Sequence, residues 1–94
     1  MYTVYEIRYK DERIYVGRTK NIVNRTKSHK YSIKSKPSML YQFARENNIM
    51  SFDLITIRTF KNKTESKRWE MYEILTDHFN KKQLLNKVPN ISDR

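Results

Sequence analysis

Cysteine is absent from this 94-residue chain, glycine occurs once and proline twice. Without thiols there is neither a disulfide framework nor a thiolate metal site, so any metal would be held by oxygen or imidazole. No run of about 18 apolar residues is present, and no helix is expected to span a membrane. The opening Met1-Tyr2-Thr3-Val4-Tyr5-Glu6 lacks the basic-then-apolar order of a secretion signal. These absences point to a soluble intracellular protein, cytoplasmic or nucleoid-associated. There is no internal repeat and no low-complexity block. The lone glycine is informative by its scarcity: a position needing positive φ or a close approach of backbone is most simply placed at Gly17.

What is present is basic and aromatic. Hydrophobic residues make up 37% of the chain and aromatics 13%, seven of them tyrosine, which is too apolar for a disordered tail. A chain of this length forms one domain, residues 1–94, burying about 60–65% of its unfolded surface. Twenty Lys and Arg against ten Asp and Glu leave a formal charge of +10. Self-repulsion of that size suits a polyanionic partner, nucleic acid before others, although a purely solubilising surface would carry the same surplus.

Residues Tyr2 to Ile7 alternate as a strand, Lys10-Asp11-Glu12-Arg13 suits a turn, and Arg13 to Gly17 resume an extended β-branched and aromatic pattern. Arg18-Thr19-Lys20-Asn21 offers capping side chains for a helix from about Asn21 to Tyr31, on which Ile22, Arg25 and His29 share one face. Pro37 breaks the pattern, and Ser38 is available to cap a helix over Met39 to Asn47 with Leu40, Phe43 and Ala44 inward. Phe52 to Thr59 reads as a third strand, its apolar run suggesting a central position. Asn62 with Glu65 marks the start of a long helix to about Phe79, with Trp69, Met71, Tyr72, Leu75 and Phe79 inward. Spacing places Glu70, Glu73 and Asp77 on the solvent arc of that helix.

Tyr5 and Tyr15-Val16-Gly17 resemble the paired tyrosine motif of the GIY-YIG nucleases, followed at similar spacing by Thr19, Asn21, Arg25 and His29. Glu70, with Ile74 four residues on, resembles the family's glutamate helix, and Leu85-Asn86 its closing asparagine. The resemblance covers essentially the whole chain. It implies an α/β fold, a three-stranded antiparallel sheet flanked by helices, and phosphodiester hydrolysis of DNA assisted by Mg²⁺ or Mn²⁺. Two departures stand out. The first motif begins Thr3-Val4-Tyr5 without the family glycine, and Lys34-Ser35-Lys36 stands where some relatives carry a second histidine.

Phosphodiester hydrolysis needs charge stabilisation at the phosphoryl oxygens, a positioned water and help for the departing oxygen. Under the resemblance, Glu70 is the ligand for a hard cation, and Arg25 grips the scissile phosphate through its planar fork. Tyr5 and Tyr15 hold or deprotonate the attacking water, which requires neighbouring cations to lower a phenol pKa that is ordinarily near 10. His29 is suited to shuttle a proton or contact phosphate, and Asn86 to fix the site by hydrogen bonds. Plainer roles stand beside these: cross-strand packing for the tyrosines, a solvated helix surface for Arg25 and His29, a turn cap for Asn86. Glu73 competes with Glu70, and Asn90 with Asn86. Trp69, Tyr72 and Phe79 read as core rather than as base-stacking residues.

Lys20, Lys27, Lys30, Lys34, Lys36 and Lys67 are expected to border the substrate groove, with Lys61, Lys63 and Arg68. Such contacts neutralise phosphates without reading sequence. The reading is therefore an endonuclease with low intrinsic sequence specificity, or one directed by DNA structure or by homodimerisation on the substrate. The rival from another class is a binding module that keeps the fold without catalysis.

Overall fold

The structure, a computed structural model, describes residues 1–79 together with 84 and 85, and for residues 78 and 79 the backbone alone. Asn86 and Asn90, and the packing of the Phe79 side chain, therefore lie outside the described residues. The elements run β1 (Tyr2–Tyr9), β2 (Glu12–Thr19), α1 (Ile22–Ser32), α2 (Met39–Glu46), β3 (Ile55–Phe60) and α3 (Lys63–Phe79). The strands form one antiparallel sheet in the order β2-β1-β3. This is the expected α/β architecture, with one correction: β1 is central and β3 lies at an edge. The apolar run from Phe52 misleads because it feeds two cores. Phe52 and Leu54, before the strand begins, pack on one side of the sheet, Ile57 packs on the other, and Ile55 is 45% exposed.

The turn between β1 and β2 is tighter than the sequence suggests. Tyr9 pairs with Glu12, leaving Lys10 and Asp11 as a two-residue loop with φ of 51° and 65°. Two successive left-handed residues match the right-handed twist of the flanking strands. Neither is glycine, and Arg8 supports the loop by donating from Nη2 to the Asp11 carbonyl at 2.7 Å. Gly17, by contrast, has no positive φ. Its role is the close approach described below.

Two apolar layers sandwich the sheet. Tyr5, Ile7 and Ile14 pack with Ile33, Leu40, Ala44 and Phe52 beneath α1 and α2, whereas Val4 and Val16 pack with Ile74, Ile57, Phe60 and Trp69 beneath α3. The helices start where side chains can satisfy their free N–H groups. Asn21 accepts from Asn24 N–H at 3.1 Å, and Asn62 accepts from Thr64 N–H at 2.7 Å. Ser38 takes the N-cap position of α2, although its side chain makes no capping bond. Arg45 donates to the carbonyls of Ile33 and Lys36, closing the connection between α1 and α2.

Helix α3 is turned from the expected orientation. Trp69 packs on the core as expected, but Met71 and Tyr72 are exposed, Ser66, Ile74 and Asp77 are buried, and the acidic arc faces the hairpin. Arg13 donates to Glu6 and Glu73, each at 2.8 Å, and lies 3.4 Å from Asp77. A bulge makes this possible. Ile7 pairs with Tyr15 while Arg8 pairs with Arg13, so Ile14 is an extra residue and Arg13 turns to the face opposite Tyr15. In unbroken alternation the two would share a face. Leu85 N–H donates to the carbonyl of that extra residue at 2.6 Å.

Arg13→Ala would leave three partly buried carboxylates with only Arg8 nearby. A loss of about 2–4 kcal/mol is expected in urea denaturation; a loss indistinguishable from that of a surface Arg→Ala control would contradict the clamp.

Candidate active site

The site begins with one cross-strand pair. Tyr5 stands opposite Gly17 in the β1–β2 ladder, and a β-carbon at position 17 would run into the Tyr5 ring and hydroxyl. The absent side chain is what lets the Tyr5 phenol lie against β2. Tyr5 is completely buried, and the half-buried Tyr15 sits beside it with ring centroids 6.3 Å apart.

Helix α1 carries two residues onto this pair, four positions apart and so on one face. Arg25 donates from Nε to the Tyr5 hydroxyl at 3.4 Å, and its charge acts on Tyr15 as well. His29 is fully buried, its Nε2 2.8 Å from the Tyr5 hydroxyl and its Nδ1 2.8 Å from the hydroxyl of Tyr41 on α2. The imidazole is thus bracketed by two phenols and walled edge-on by Phe52 at a centroid separation of 6.1 Å.

Burial governs the protonation states. It lowers the His29 pKa from 6.5 to about 4, and the Arg25 charge acts in the same direction. The ring is therefore neutral at pH 7, with one nitrogen donating and the other accepting. Burial also pushes the Tyr5 phenol far above its ordinary value, with Tyr15 adding to the rise and Arg25 opposing it. Tyr15 is raised too, burial outweighing the Arg25 charge. In the protein alone the Arg25 charge does not bring the phenols down, because desolvation is the stronger influence. The expectation that His29 contacts phosphate directly is also corrected, since the ring is enclosed and both its nitrogens are engaged.

Glu70 reaches this cluster from the other side of β2. Its carboxylate is 3.4 Å from Arg18 Nε, and it is close enough to Tyr15 for its charge to help raise that phenol. Burial raises the Glu70 pKa, against the pull of Arg18 and Lys67. Tyr5, Tyr15, Arg25 and His29 are thus joined by direct contact, whereas Glu70 is coupled to them electrostatically around the strand. Glu73, its competitor, is committed to Arg13. Lys20, Lys27, Lys30, Lys34, Lys36 and Lys67 are all exposed, and none forms a salt bridge among the described residues.

Two site residues escaped the sequence. Tyr41 lies twelve positions from His29, and only the packing of α2 on α1 joins them. Arg18 was read as part of a capping segment; its place directly after the glycine, on the strand face turned to α3, was the available signal. Buried phenols and an imidazole under a guanidinium, with a half-buried carboxylate near at hand, bring a fixed cation able to bind an anion beside groups able to exchange protons. A family model described as the GIY-YIG catalytic domain matches residues 1–83, and the chain belongs to that family of nucleases. No curated protein and no solved structure matches it.

His29 makes stability pH-dependent with a definite sign. Its folded pKa of about 4 lies below the unfolded value of 6.5, so the unfolded chain binds the extra proton between those values. The stability it contributes is whole above pH 6.5 and is lost as pH falls towards 4. Urea denaturation should show about 2–3 kcal/mol of acid destabilisation that His29→Gln removes; identical pH slopes in the two proteins would contradict this. Gly17→Ala should destabilise by about 1–3 kcal/mol through overpacking against Tyr5, read in the same titration, and an unchanged midpoint would contradict the close approach.

Proposed function

We propose that the protein is a divalent-metal-dependent DNA endonuclease whose nuclease domain cuts with little intrinsic sequence specificity or in response to DNA structure. The observation carrying this reading is the bonded set Tyr5–Arg25–His29–Tyr41 beside Glu70. Arg25 is aimed at the phenol pair and offers its remaining guanidinium donors to a phosphate. Tyr5 or Tyr15 positions the attacking water. Action of Tyr5 as a base requires its own proton to leave: His29 Nε2, already 2.8 Å away, accepts it while Nδ1 gives the ring proton to the Tyr41 oxygen and Tyr41, which is only partly buried, releases its own hydroxyl proton to solvent. His29 therefore serves as an internal relay. The donor set fits a hard cation such as Mg²⁺ or Mn²⁺, which keeps several waters and needs only one or two carboxylates with phosphate oxygens. The burial that raises the Glu70 pKa leaves a carboxylate favoured by added positive charge. When bound there, the ion would supply stabilisation of the charge developing on the phosphoryl group. Asn86 belongs to the same reading, and the six exposed lysines supply the phosphate-neutralising border.

Supercoiled plasmid with Mg²⁺ should be converted to nicked or linear product, and Glu70→Gln should slow this by about 10²-fold or more. Duplex binding measured in EDTA should survive that substitution and weaken steeply with salt. Plasmid left intact by the wild-type protein across several metals would overturn the enzymatic reading and leave the rival, a nucleic-acid-binding module.

A further inference from the structure

At the opposite end of the sheet from Arg18 lies an open hollow of about 460 Å³, lined by Arg58, Phe60, Glu65, Arg68, Trp69 and Tyr72. Its rings form a continuous aromatic surface: Phe60 and Trp69 are 6.0 Å apart between centroids, and Trp69 and Tyr72 5.5 Å. Arg58 stacks its guanidinium over both Trp69, at 4.9 Å, and Phe60, at 5.4 Å. Tyr72 is 58% exposed, far outside the core to which helical spacing assigned it. The indole Nε1–H of Trp69 is buried and has no partner among the described residues.

The hollow is aligned with the candidate active site by the strand register. Val4 pairs with Arg18 on one side and with Arg58 on the other, so both arginines stand in one row on the face covered by α3. Two strand spacings, ~10 Å, separate their backbones. Arg18 holds Glu70, and Arg58 lies over Trp69, the residue next to Glu70 on the same helix. One nucleic-acid strand could touch both ends of the row.

We infer that this hollow binds an unpaired nucleobase of the DNA substrate, stacked against Trp69 and Tyr72 with Arg58 and Arg68 towards its phosphates. The inference rests on the reading of the substrate as DNA and adds the residues by which DNA structure would be sensed. Aromatic faces interleaved with arginines accept any base, because every base presents a π face, and they discriminate against a duplex whose bases are already stacked. Two arginines against the single carboxylate of Glu65 keep the hollow cationic, as the whole chain is at +10.

Trp69 is the only tryptophan in the chain, so its fluorescence reports on this surface alone. The full chain is titrated in EDTA with an oligothymidine strand, a blunt duplex, and a duplex bearing a single-stranded flap. The strand and the flap should quench Trp69 and the blunt duplex should not. Tyr72→Ala should weaken strand and flap binding roughly tenfold and change duplex binding less than about twofold, with Tyr72→Phe restoring the difference. Equal losses on all three DNAs, no quenching by unpaired DNA, or a fluorescence change that tracks self-association without DNA would each overturn the proposal. Because no divalent metal is present, failure to cleave plasmid bears on the enzymatic reading alone, and failure to quench bears on this one alone.

Discussion

The Tyr5 ring occupies the space that any side chain at position 17 would need, and the remainder of the candidate site is built on that contact. With the phenol pressed against β2, its hydroxyl sits where α1 can bring both Arg25 and His29 to it. Tyr41 then completes the imidazole's bonding from α2. The glycine supplies space rather than conformational freedom: its φ is ordinary, and what it contributes is the missing β-carbon. A chain with a single glycine has placed it where two aromatic groups and a guanidinium converge.

Charge organises the other face of the sheet. A helix that lays Glu70, Glu73 and Asp77 against a strand hairpin would ordinarily lose much by removing carboxylates from water. Arg13 and Arg18 compensate from β2, and the bulge at Ile14 is the backbone irregularity that puts Arg13 on the required side. Partly buried ion pairs of this kind add little net stability over well-packed apolar residues, but breaking one leaves an uncompensated charge. They therefore specify how α3 is rotated about its axis, and that rotation decides two things at once. It turns Glu70 towards Tyr15, and it leaves Tyr72 and part of Trp69 facing outward beside Arg58.

The site's electrostatics follow from how much of it is enclosed. Burial shifts Tyr5, Tyr15 and His29 towards their neutral forms, so the protein alone holds a connected set of neutral groups with one fixed cation, Arg25. Neutral phenols and imidazole in contact are suited to exchanging protons along their hydrogen bonds without separating charge in a poorly solvated interior. The six lysines expected to neutralise phosphates are exposed and form no salt bridge among the described residues.

Local signals were enough to read much of this. The hairpin, both asparagine caps and the helical pairing of Arg25 with His29 depend on neighbours within a few residues, and the order of Tyr5, Tyr15-Val16-Gly17, Arg25 and Glu70 carried the family. Tertiary structure alone decided the rest. Periodicity assigns an amphipathic helix its inner side by apolarity, and for α3 that rule failed because arginines supplied by a bulged strand made the acidic side the better one to bury. The same holds for Tyr41 and for the hollow at Trp69, whose members come from elements far apart in the chain: the sequence determined which groups the protein possesses, and only the packing of helices on the sheet determined which of them meet.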